Sequence, residues 1–484
     1  MISINQPILQ KSMTNSTIKP FYWLVLMLFC SFANAFYAQS EVKVLEFEAF
    51  LNQVRAHHPM AKQAQLQSEM GDAYVAKAWG GFDPKLEMAL DQKYFDGKTY
   101  YQTLDNTFKV PTWFGIDIKG GFEQNAGQYL NPQNNTPAAG LWYAGLSVPI
   151  GEGLFIDQRR ADLKQAKLYA LSTQAEQQLM MNQLMLEAGQ VYWQWFFAYN
   201  QVLVFQEAIV LAQTRLNAVK AEVRAGDKPS IDTVEAGIQW QNRQFGLQQA
   251  QLDFANASAQ LEVFLWQDGL VPLELEENTI PQAQSDVLPA RIDTQLANDI
   301  DSLVAKHPAM QQSQLKIDQL EVDRRLRLEQ LKPDLNLNYN AINQPVNGDA
   351  FAQYSINNYK WGLGFSMPLL LQKERAELKL NKLKIQDADY DLGLKQQGLA
   401  FKAISALNDW ETTAQQLELY TQTTTDYSRL LQGEREKFSI GESSLFLVNA
   451  RETGYINAQL KLLELLVKNQ QARLKWLYSL NQIN

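Results

Sequence analysis

Cysteine and histidine are almost absent from this chain of 484 residues, which has one cysteine, Cys30, and three histidines. So few thiol and imidazole groups leave no disulfide framework, no basis for a thiol enzyme and too few ligands for a typical zinc site. A glycine-rich phosphate-binding loop is also missing, so the chain has no recognisable means of using a nucleotide. These absences argue against an enzyme, and we predict neither a cofactor nor a metal.

Positive charge and long apolar runs are scarce as well. Lys and Arg number 43 against 52 Asp and Glu, which gives a formal net charge of −9, whereas nucleic-acid-binding proteins usually carry a basic excess. Beyond the N-terminus no run of about 18 apolar residues occurs, so a polytopic helical membrane protein is excluded. With 46% hydrophobic and 20% charged residues, the chain is nevertheless apolar enough to fold.

The N-terminal segment has the organisation of a secretory signal peptide. A basic start, a short apolar stretch and two small residues follow one another: Lys11 and Lys19, then 21–30, then Ala33 and Ala35. Because the apolar stretch is too short to span a bilayer, a membrane anchor is the less favoured alternative. We expect residues 1–38 to be removed on export, and Cys30 with them.

The second half of the chain repeats the first. His58-Pro59 recurs as His307-Pro308 at a shift of 249 residues (58 to 307), and Gly226 recurs as Gly441 at a shift of 215 (226 to 441). The difference between the two shifts places an insertion in the first half, between residues 84 and 149. Each His-Pro pair is expected to open a helix, since proline is tolerated in the first turn and a polar residue favours the cap. A metal or general-base pair at His57 and His58 is the alternative.

Prolines are missing from the longest predicted helices, and Gln, Ala, Leu, Glu and Lys dominate there, most of which favour helix. We predict two helices of roughly seventy residues, each about 100 Å long, and a shorter partner after each one. The predicted pairs are 154–224 with 231–266 in the first half and 369–438 with 445–480 in the second.

Strands are predicted where apolar and polar residues alternate, at 334–342 and 359–367. Each segment has about nine residues, which is enough to cross a bilayer as a tilted strand. Faces of this kind are typical of a barrel wall between lipid and water, although a soluble antiparallel sheet with one wet face is the alternative.

The first half contains weaker strand signals between residues 84 and 150. Apolar residues alternate near its start (Leu86, Met88, Leu90) and over 142–150, with a further strand through Phe114, Ile116, Ile118 and Phe122 and a weaker candidate over 100–110. Interfacial aromatic girdles are predicted from Tyr94, Tyr100, Tyr101, Trp113, Tyr129 and Tyr143. A barrel needs about eight strands and cannot leave open edges in lipid, so several copies must combine.

The turns between the paired long helices carry the most specific motifs, RAGDKPSIDTVEA at 224–236 and KFSIGESSLFLVNAR at 437–451. Glycine can adopt the left-handed conformation that ends a helix, and serine can cap the next one. With the export signal, the duplication and the element order, these motifs resemble the TolC-like outer-membrane efflux protein family over essentially the whole mature chain. The resemblance implies an α+β membrane protein, a homotrimeric transmembrane β-barrel of twelve strands continued by a long α-helical periplasmic tunnel, and internally duplicated.

By the same resemblance the protein is a passive exit duct in the bacterial outer membrane, for drug efflux or type I secretion. Its implied partners are the lipid bilayer, a periplasmic adaptor and an inner-membrane pump or exporter ATPase, with no nucleic acid. An exported structural or adhesive protein with the long helices as a stalk is the alternative function.

The resemblance also assigns roles to residues of the two turns. Gly226, Ser230, Gly441 and Ser444 fall at the periplasmic tips, where the adaptor would dock. Some family members narrow the pore with acidic residues just after a tip, which Asp232 and Glu235 match, although a solvated helix face is the alternative. The second turn has no carboxylate at that place, so Asn449 is the candidate there.

The sequence therefore divides into a signal peptide and two similar halves. The expected segments are a signal peptide at 1–38, a helix at 39–83, barrel strands with a long insertion at 84–150, long helices at 151–268 with a tip near 226–230, a linker at 269–296, a helix at 297–332, a strand pair at 333–368, and long helices at 369–484 with a tip near 441–444.

Overall fold

The computed structural model describes residues 42–276, 278–287, 299–345, 349, 352 and 354–483. These ranges include both His-Pro pairs, both pairs of long helices and the turn within each pair. The predicted signal peptide at 1–38 lies outside the described residues, as does the part of the predicted linker from residue 288 to 296.

Long helices in two similar sets make up most of the described chain. They are α1 (Phe47–His57), α2 (Pro59–Trp79), α3 (Gln158–Ala225), α4 (Ile231–Glu262), α5 (Ile300–Ala305), α6 (Pro308–Glu329), α7 (Gln372–Ser439) and α8 (Leu445–Ser479). Both α3 and α7 have 68 residues, and their partners α4 and α8 have 32 and 35. The predicted pairing of a very long helix with a shorter one is confirmed in each half.

The two His-Pro pairs open α2 and α6. His58 Nδ1 accepts a hydrogen bond from the backbone N–H of Met60, and His307 Nδ1 accepts one from Ala309, both at 3.2 Å. The following prolines occupy the first helical turn. Burial lowers the pKa of both histidines, which keeps the rings in the neutral form that can accept these bonds. The capping interpretation is therefore confirmed.

Replacing His58 and His307 together with asparagine is expected to make thermal stability less sensitive to mild acid. Asparagine also accepts a capping bond but does not titrate. In the unaltered chain the lowered pKa means that the unfolded state binds the proton more readily. The stabilisation is thus complete above the ordinary histidine pKa of 6.5 and is lost as the pH falls below it.

The measurement is the fall in Tm between about pH 7.5 and about pH 5.5 in detergent. The matched control is His57→Asn, since His57 caps no helix and pairs with Asp268 at 2.9 Å near the surface. A double variant that loses as much Tm on acidification as the unaltered protein would contradict the prediction.

The strands form one large sheet and two small ones. They are β1 (Lys43–Leu45), β2 (Lys85–Phe95), β3 (Lys98–Pro111), β4 (Asp117–Ala126), β5 (Leu141–Pro149), β6 (Trp266–Gln267), β7 (Val271–Pro272), β8 (Thr279–Pro281), β9 (Asp334–Asn343) and β10 (Tyr359–Ser366). The large sheet has six strands in the order β10-β9-β5-β4-β3-β2, and every neighbouring pair is antiparallel. The strands of the two halves therefore meet between β5 and β9.

The first half departs from the predicted strands in two ways. The weak candidate over 100–110 is a strand of 14 residues. The strand predicted through Phe114 and Ile116 is wrong at those two residues, because Thr112 closes a turn there by donating its hydroxyl to the Ile116 carbonyl at 2.5 Å. The described residues of one chain thus supply six strands to this sheet, whereas the implied barrel of twelve strands in three copies needs four from each.

The helices lie side by side in the same order as the strands that they follow or precede. Near the sheet, α2 packs on α3, α3 on α6 and α6 on α7; farther away, α4 packs on α3, α3 on α8 and α8 on α7. The largest core lies where α1, α3 and α8 meet, and it buries Tyr192, Trp195 and Phe196 completely. Within the described ranges α3 alone has the length and composition of a membrane-spanning helix, but these aromatic side chains of α3 are buried in protein.

Candidate functional site

One face of the six-stranded sheet is apolar and exposed. Exposed fractions reach 78% for Leu86, 62% for Trp361 and 68% for Phe365. The strand register places on this face Leu86, Met88, Leu90, Leu104, Phe108, Ile118, Phe122, Trp142, Leu146, Leu335, Leu337, Tyr339, Tyr359, Trp361, Leu363 and Phe365. A continuous apolar patch of this extent is unusual on a surface that faces water and marks contact with lipid or protein.

The opposite face of the same sheet is polar. Asp117 forms ion pairs with Lys109 and with Arg159, each at 3.0 Å, and Lys119 donates a hydrogen bond to Asn338 at 3.2 Å. The register places on this face Glu87, Asp91, Asp105, Thr107, Lys109, Asp117, Lys119, Glu123, Tyr143, Ser147, Asn336, Asn338, Asn340 and Lys360. A sheet with one lipid-like and one hydrated face has the polarity of a barrel wall.

Tyr143 lies on the polar face, so its assignment to an interfacial girdle is wrong. Its ring covers Gly121, where a Cβ would lie 2.5 Å from the tyrosine hydroxyl. That hydroxyl is hydrogen-bonded to Thr107 and donates to Asp105 at 3.0 Å. A tyrosine laid across a glycine in this way braces three neighbouring strands on the polar side.

Aromatic side chains do gather at both ends of the sheet. Tyr100 packs on Tyr129 with ring centroids 4.6 Å apart, at the end of the sheet away from the helices. Trp113 packs on Phe114 at 5.5 Å in the turn between β3 and β4, at the helical end. This placement fits the two girdles expected of a strand that crosses a bilayer.

The two turns between the long helices lie together at the far end of α3 and α7. Leu445 of the second hairpin is buried in a cluster with Leu216 and Ala236 of the first. Lys228 Nζ lies 4.2 Å from the ring centroid of Phe438, a cation–π contact between the turns. One end of the chain is therefore built from both repeats.

The predicted turn residues behave differently in the two repeats. Gly226 (φ 84°) and Gly441 (φ 81°) both adopt the left-handed conformation that ends a helix, as predicted. Ser444 caps α8 by accepting a hydrogen bond from the Leu447 N–H at 3.3 Å. The predicted cap at Ser230 is wrong: its backbone is already helical, and the Pro229 carbonyl accepts the N–H of Asp232 at 3.1 Å.

Two of the predicted constriction residues meet in the contact between the hairpins. Asn449 is only 3% exposed. Its Nδ2 donates to Glu235 Oε1 at 2.9 Å, and its Oδ1 accepts a bond from Arg215 at 2.9 Å. Asp232 is not part of this contact and lies half-buried in the first turn of α4. The side chain of Asn449 is thus held by the first hairpin of its own chain.

Sequence reasoning missed the ion pairs that complete this contact. Glu452, 3% exposed, is paired with Arg215 of the first hairpin and with Arg435 at 3.3 Å. A signal was present, since Glu452 interrupts a buried stripe at helical spacing that includes Val448 and Ile456. A charged residue in such a stripe indicates a buried partner.

Metal ligation has no candidate in the portion of the chain described by the structure: no group of three or more His, Cys, Asp or Glu side chains there is arranged to hold an ion. The arrangement offers a two-faced wall at one end and a polar contact between hairpins at the other.

Comparisons with known proteins point to one group. The model of the outer membrane efflux protein family matches residues 300–480, and no curated protein gives a significant sequence match.

Solved structures share the fold over most of the chain. The CmeC outer membrane channel of Campylobacter jejuni is 13% identical with a TM-score of 0.62, covering 90% of this chain and 87% of that one. The outer membrane protein VceC of Vibrio cholerae is 12% identical with a TM-score of 0.61, covering 90% and 96%. The open MtrE outer membrane channel of Neisseria gonorrhoeae is 13% identical with a TM-score of 0.62, covering 90% and 88%.

The fold class predicted from the sequence, a sheet continued by very long helices in an internally duplicated α+β chain, is confirmed. By family model over residues 300–480 and by fold over nine-tenths of its length, this chain is similar to the TolC-like outer-membrane efflux proteins, as its sequence indicated.

Proposed function

We propose that this protein is an exit duct in the bacterial outer membrane, a passive conduit that extends into the periplasm. The observation that carries the proposal is the six-stranded sheet, which is apolar and exposed on one face, charged on the other, and continued by helices of 68 residues. Lipid accounts for the first face and a water-filled pore for the second. Helices of this length reach about 100 Å, far beyond the bilayer.

The duct is proposed to be a homotrimer, as the family resemblance implies, and the two different open edges of each chain suit a closed ring. One edge consists of β2, α2 and α4, and the other of β10 and α7. Edges that differ meet head to tail, and such contacts form a ring when the rotation from one copy to the next closes.

Exposed apolar stripes run along both helical edges. On α7 they include Leu383, Tyr390, Leu394 and Phe401. On α4 they include Ile231, Ile238, Phe245 and Leu252. Each of these side chains is at least half exposed. These residues are four or seven positions apart, which is the spacing by which one helix packs along another. We infer that the two neighbouring copies in the ring cover these stripes, one on each edge.

The tips are proposed to dock a periplasmic adaptor, around Gly226, Ser230, Gly441 and Ser444. Exposed apolar side chains support this, since Ile440 and Phe446 are 69% and 67% exposed at this end. An inner-membrane pump or exporter ATPase supplies the energy in this proposal. We propose that Asp232 and Glu235 narrow the pore at the same end, and that Asn449, which is buried between the hairpins, acts on the constriction by holding Glu235.

Conductance in planar bilayers tests the conduit. Purified protein is expected to give stable ion currents, larger when the tips are loosened by Gly441→Pro, because proline removes the left-handed turn and a backbone donor. Protein that inserts as a trimer and conducts no ions, with or without this substitution, would exclude a conduit.

Protease treatment of intact cells separates the duct from the alternative stalk. In a duct the long helices lie in the periplasm and stay protected until the outer membrane is permeabilised. A stalk exposes them to the medium, so cleavage within α3 or α7 of intact cells would favour the stalk.

A further inference from the structure

The hairpin of β2 and β3 is joined to the sheet along its length. β3 is in register with β4 from Gln102 to Pro111. Lys109 of β3 pairs with Asp117 of β4 at 3.0 Å, and Tyr143 of β5 reaches over β4 to Thr107 and Asp105 of β3. The hairpin is therefore a part of the wall and not a loop beside it.

The outermost strand of this hairpin has the same two faces as the rest of the sheet. Leu86, Met88 and Leu90 are 78%, 67% and 56% exposed on the apolar side. Glu87 and Asp91 lie on the charged side, opposite Thr107 and Thr103 of β3. On a strand that lay outside the barrel and faced water, a row of exposed apolar side chains would be unusual.

The register shows that all six strands share the tilt of a barrel. Directly opposed residues run from Lys85 on β2 through Lys109, Lys119, Gly145 and Asn340 to Lys360 on β10. Lys85 begins β2 at the helical end, whereas Lys360 lies six residues before the helical end of β10 at Ser366. A stagger of six residues over five strand spacings corresponds to strands tilted by about 40° from the barrel axis, which is within the usual range for barrels.

The two edges of the sheet are suited to each other. Because all neighbours are antiparallel and the strands number six, β2 and β10 run in opposite directions. β10 of one copy can therefore pair antiparallel with β2 of the next while both apolar faces stay on the same side. Unpaired edge amides in lipid are very unfavourable, so this pairing is strongly driven.

The circumference of an eighteen-stranded barrel also matches that of the ring of helices below it. Eighteen strands about 4.8 Å apart and tilted by about 40° have a circumference of about 110 Å, against about 75 Å for twelve strands. Twelve helices, four from each of three copies at the level of α2, α3, α6 and α7, packed about 9 Å apart also give about 110 Å.

We propose that the β2 edge of each copy pairs with the β10 edge of the next, so that three six-stranded sheets close one eighteen-stranded barrel. Barrels of this size leave an open aqueous channel. The outer-membrane section is then wide throughout, and the narrowest point of the duct lies at the helix tips. The inference rests on the trimeric duct proposed above and adds the strand number and the pairing edges.

Disulfide cross-linking in a Cys30→Ser background tests the pairing. If the same stagger continues from β10 of one copy to β2 of the next, Ala89 or Asp91 of the neighbouring copy lies opposite Gly362. The space beside Gly362 is open, so a cysteine fits there. The double-cysteine variants Ala89→Cys/Gly362→Cys and Asp91→Cys/Gly362→Cys are oxidised in outer membranes and analysed on non-reducing gels. The matched control is Glu123→Cys/Gly362→Cys, which reports a barrel in which β4 forms the edge.

A covalent trimer with a β2 pair and none with the β4 pair is the expected result. Trimers from the β4 pair, or a native trimer in which neither β2 pair cross-links, would overturn the eighteen-stranded barrel and leave the duct standing. A monomeric mass for the unaltered protein in native membranes would instead remove the trimeric duct itself. Counting strands in a cryo-electron microscopy map gives an independent answer.

Discussion

In planar-bilayer recordings, the variant Glu452→Gln is expected to raise the ratio of open to closed time of the channel about a hundredfold. The reason is that loss of a buried ion pair removes about 3 kcal/mol of stability from the closed arrangement of the tips. Glutamine keeps the size of the side chain and its oxygen acceptor. It removes the charge that Arg215 of the first hairpin and Arg435 of the second share. In the proposed duct, opening at this end separates the two hairpins, so weakening their contact is expected to favour the open state.

The matched control for this experiment is Glu436→Gln. Glu436 is one turn from the same hairpin end but is exposed, and its carboxylate accepts a bond from Gln432 at 3.3 Å and pairs with no arginine among the ion pairs of the described residues. Both variants remove one negative charge near the tip, so a general change of pore electrostatics would affect them equally. Equal currents from the two variants would show that the ion pair does not hold the tips closed.

The long helices were predictable because proline marks their limits. The predicted segment 369–438 is the helix Gln372–Ser439, and 445–480 is Leu445–Ser479. Glycine at the left-handed position defines each turn so strongly that Gly226 and Gly441 were placed correctly from sequence alone. Ser230 was not, because Pro229 already opens the helix, and its carbonyl accepts the first N–H of that turn.

The strands were harder to predict because a barrel strand has only weak alternation in sequence. On β3 the apolar face includes Asn106 and Gln102, so polar residues stand on both sides of that strand. On β5 the predicted alternation already sets Tyr143 opposite the apolar residues, and its pairing with Gly121 confirms that it lies on the polar face although tyrosine is a typical interfacial residue. The strand number therefore depends on partners that local patterns do not encode.

The contact between the hairpins was not predictable for a related reason. Arg215 and Glu452 are 237 residues apart in sequence and meet only because the repeats pack side by side. The turn motifs place Glu235 and Asn449 near the tips, but their hydrogen bond depends on how the two hairpins pack. Local rules thus identify the sheet and the helix turns at the two ends of the chain, while the side-chain pairs between the hairpins depend on how the two repeats pack.

The proposed orientation of the sheet in the bilayer predicts the second large effect, between neighbouring residues of β5. Leu146→Arg is expected to prevent or strongly reduce assembly in the outer membrane, because an arginine on the lipid face near the midplane costs about 2–4 kcal/mol per copy. Leu146 is 44% exposed on the apolar face, directly opposite Ile118 and Tyr339. In a ring of identical chains the cost is repeated in every copy, so its effect on assembly is multiplied.

Ser147→Arg is the matched control, since it adds the same side chain one residue away on the other face. Ser147 lies opposite Asp117 and Asn338, where a guanidinium meets a carboxylate and water and is expected to be tolerated. Heat-modifiable trimers in outer-membrane fractions measure assembly, and their amount should fall steeply for Leu146→Arg and stay near the unaltered level for Ser147→Arg. The side chains of one strand point alternately to its two faces, so neighbouring residues test the two surroundings separately. The reverse order of the two variants would mean that the apolar face lines the interior. Equal assembly of both variants would mean that neither face meets lipid.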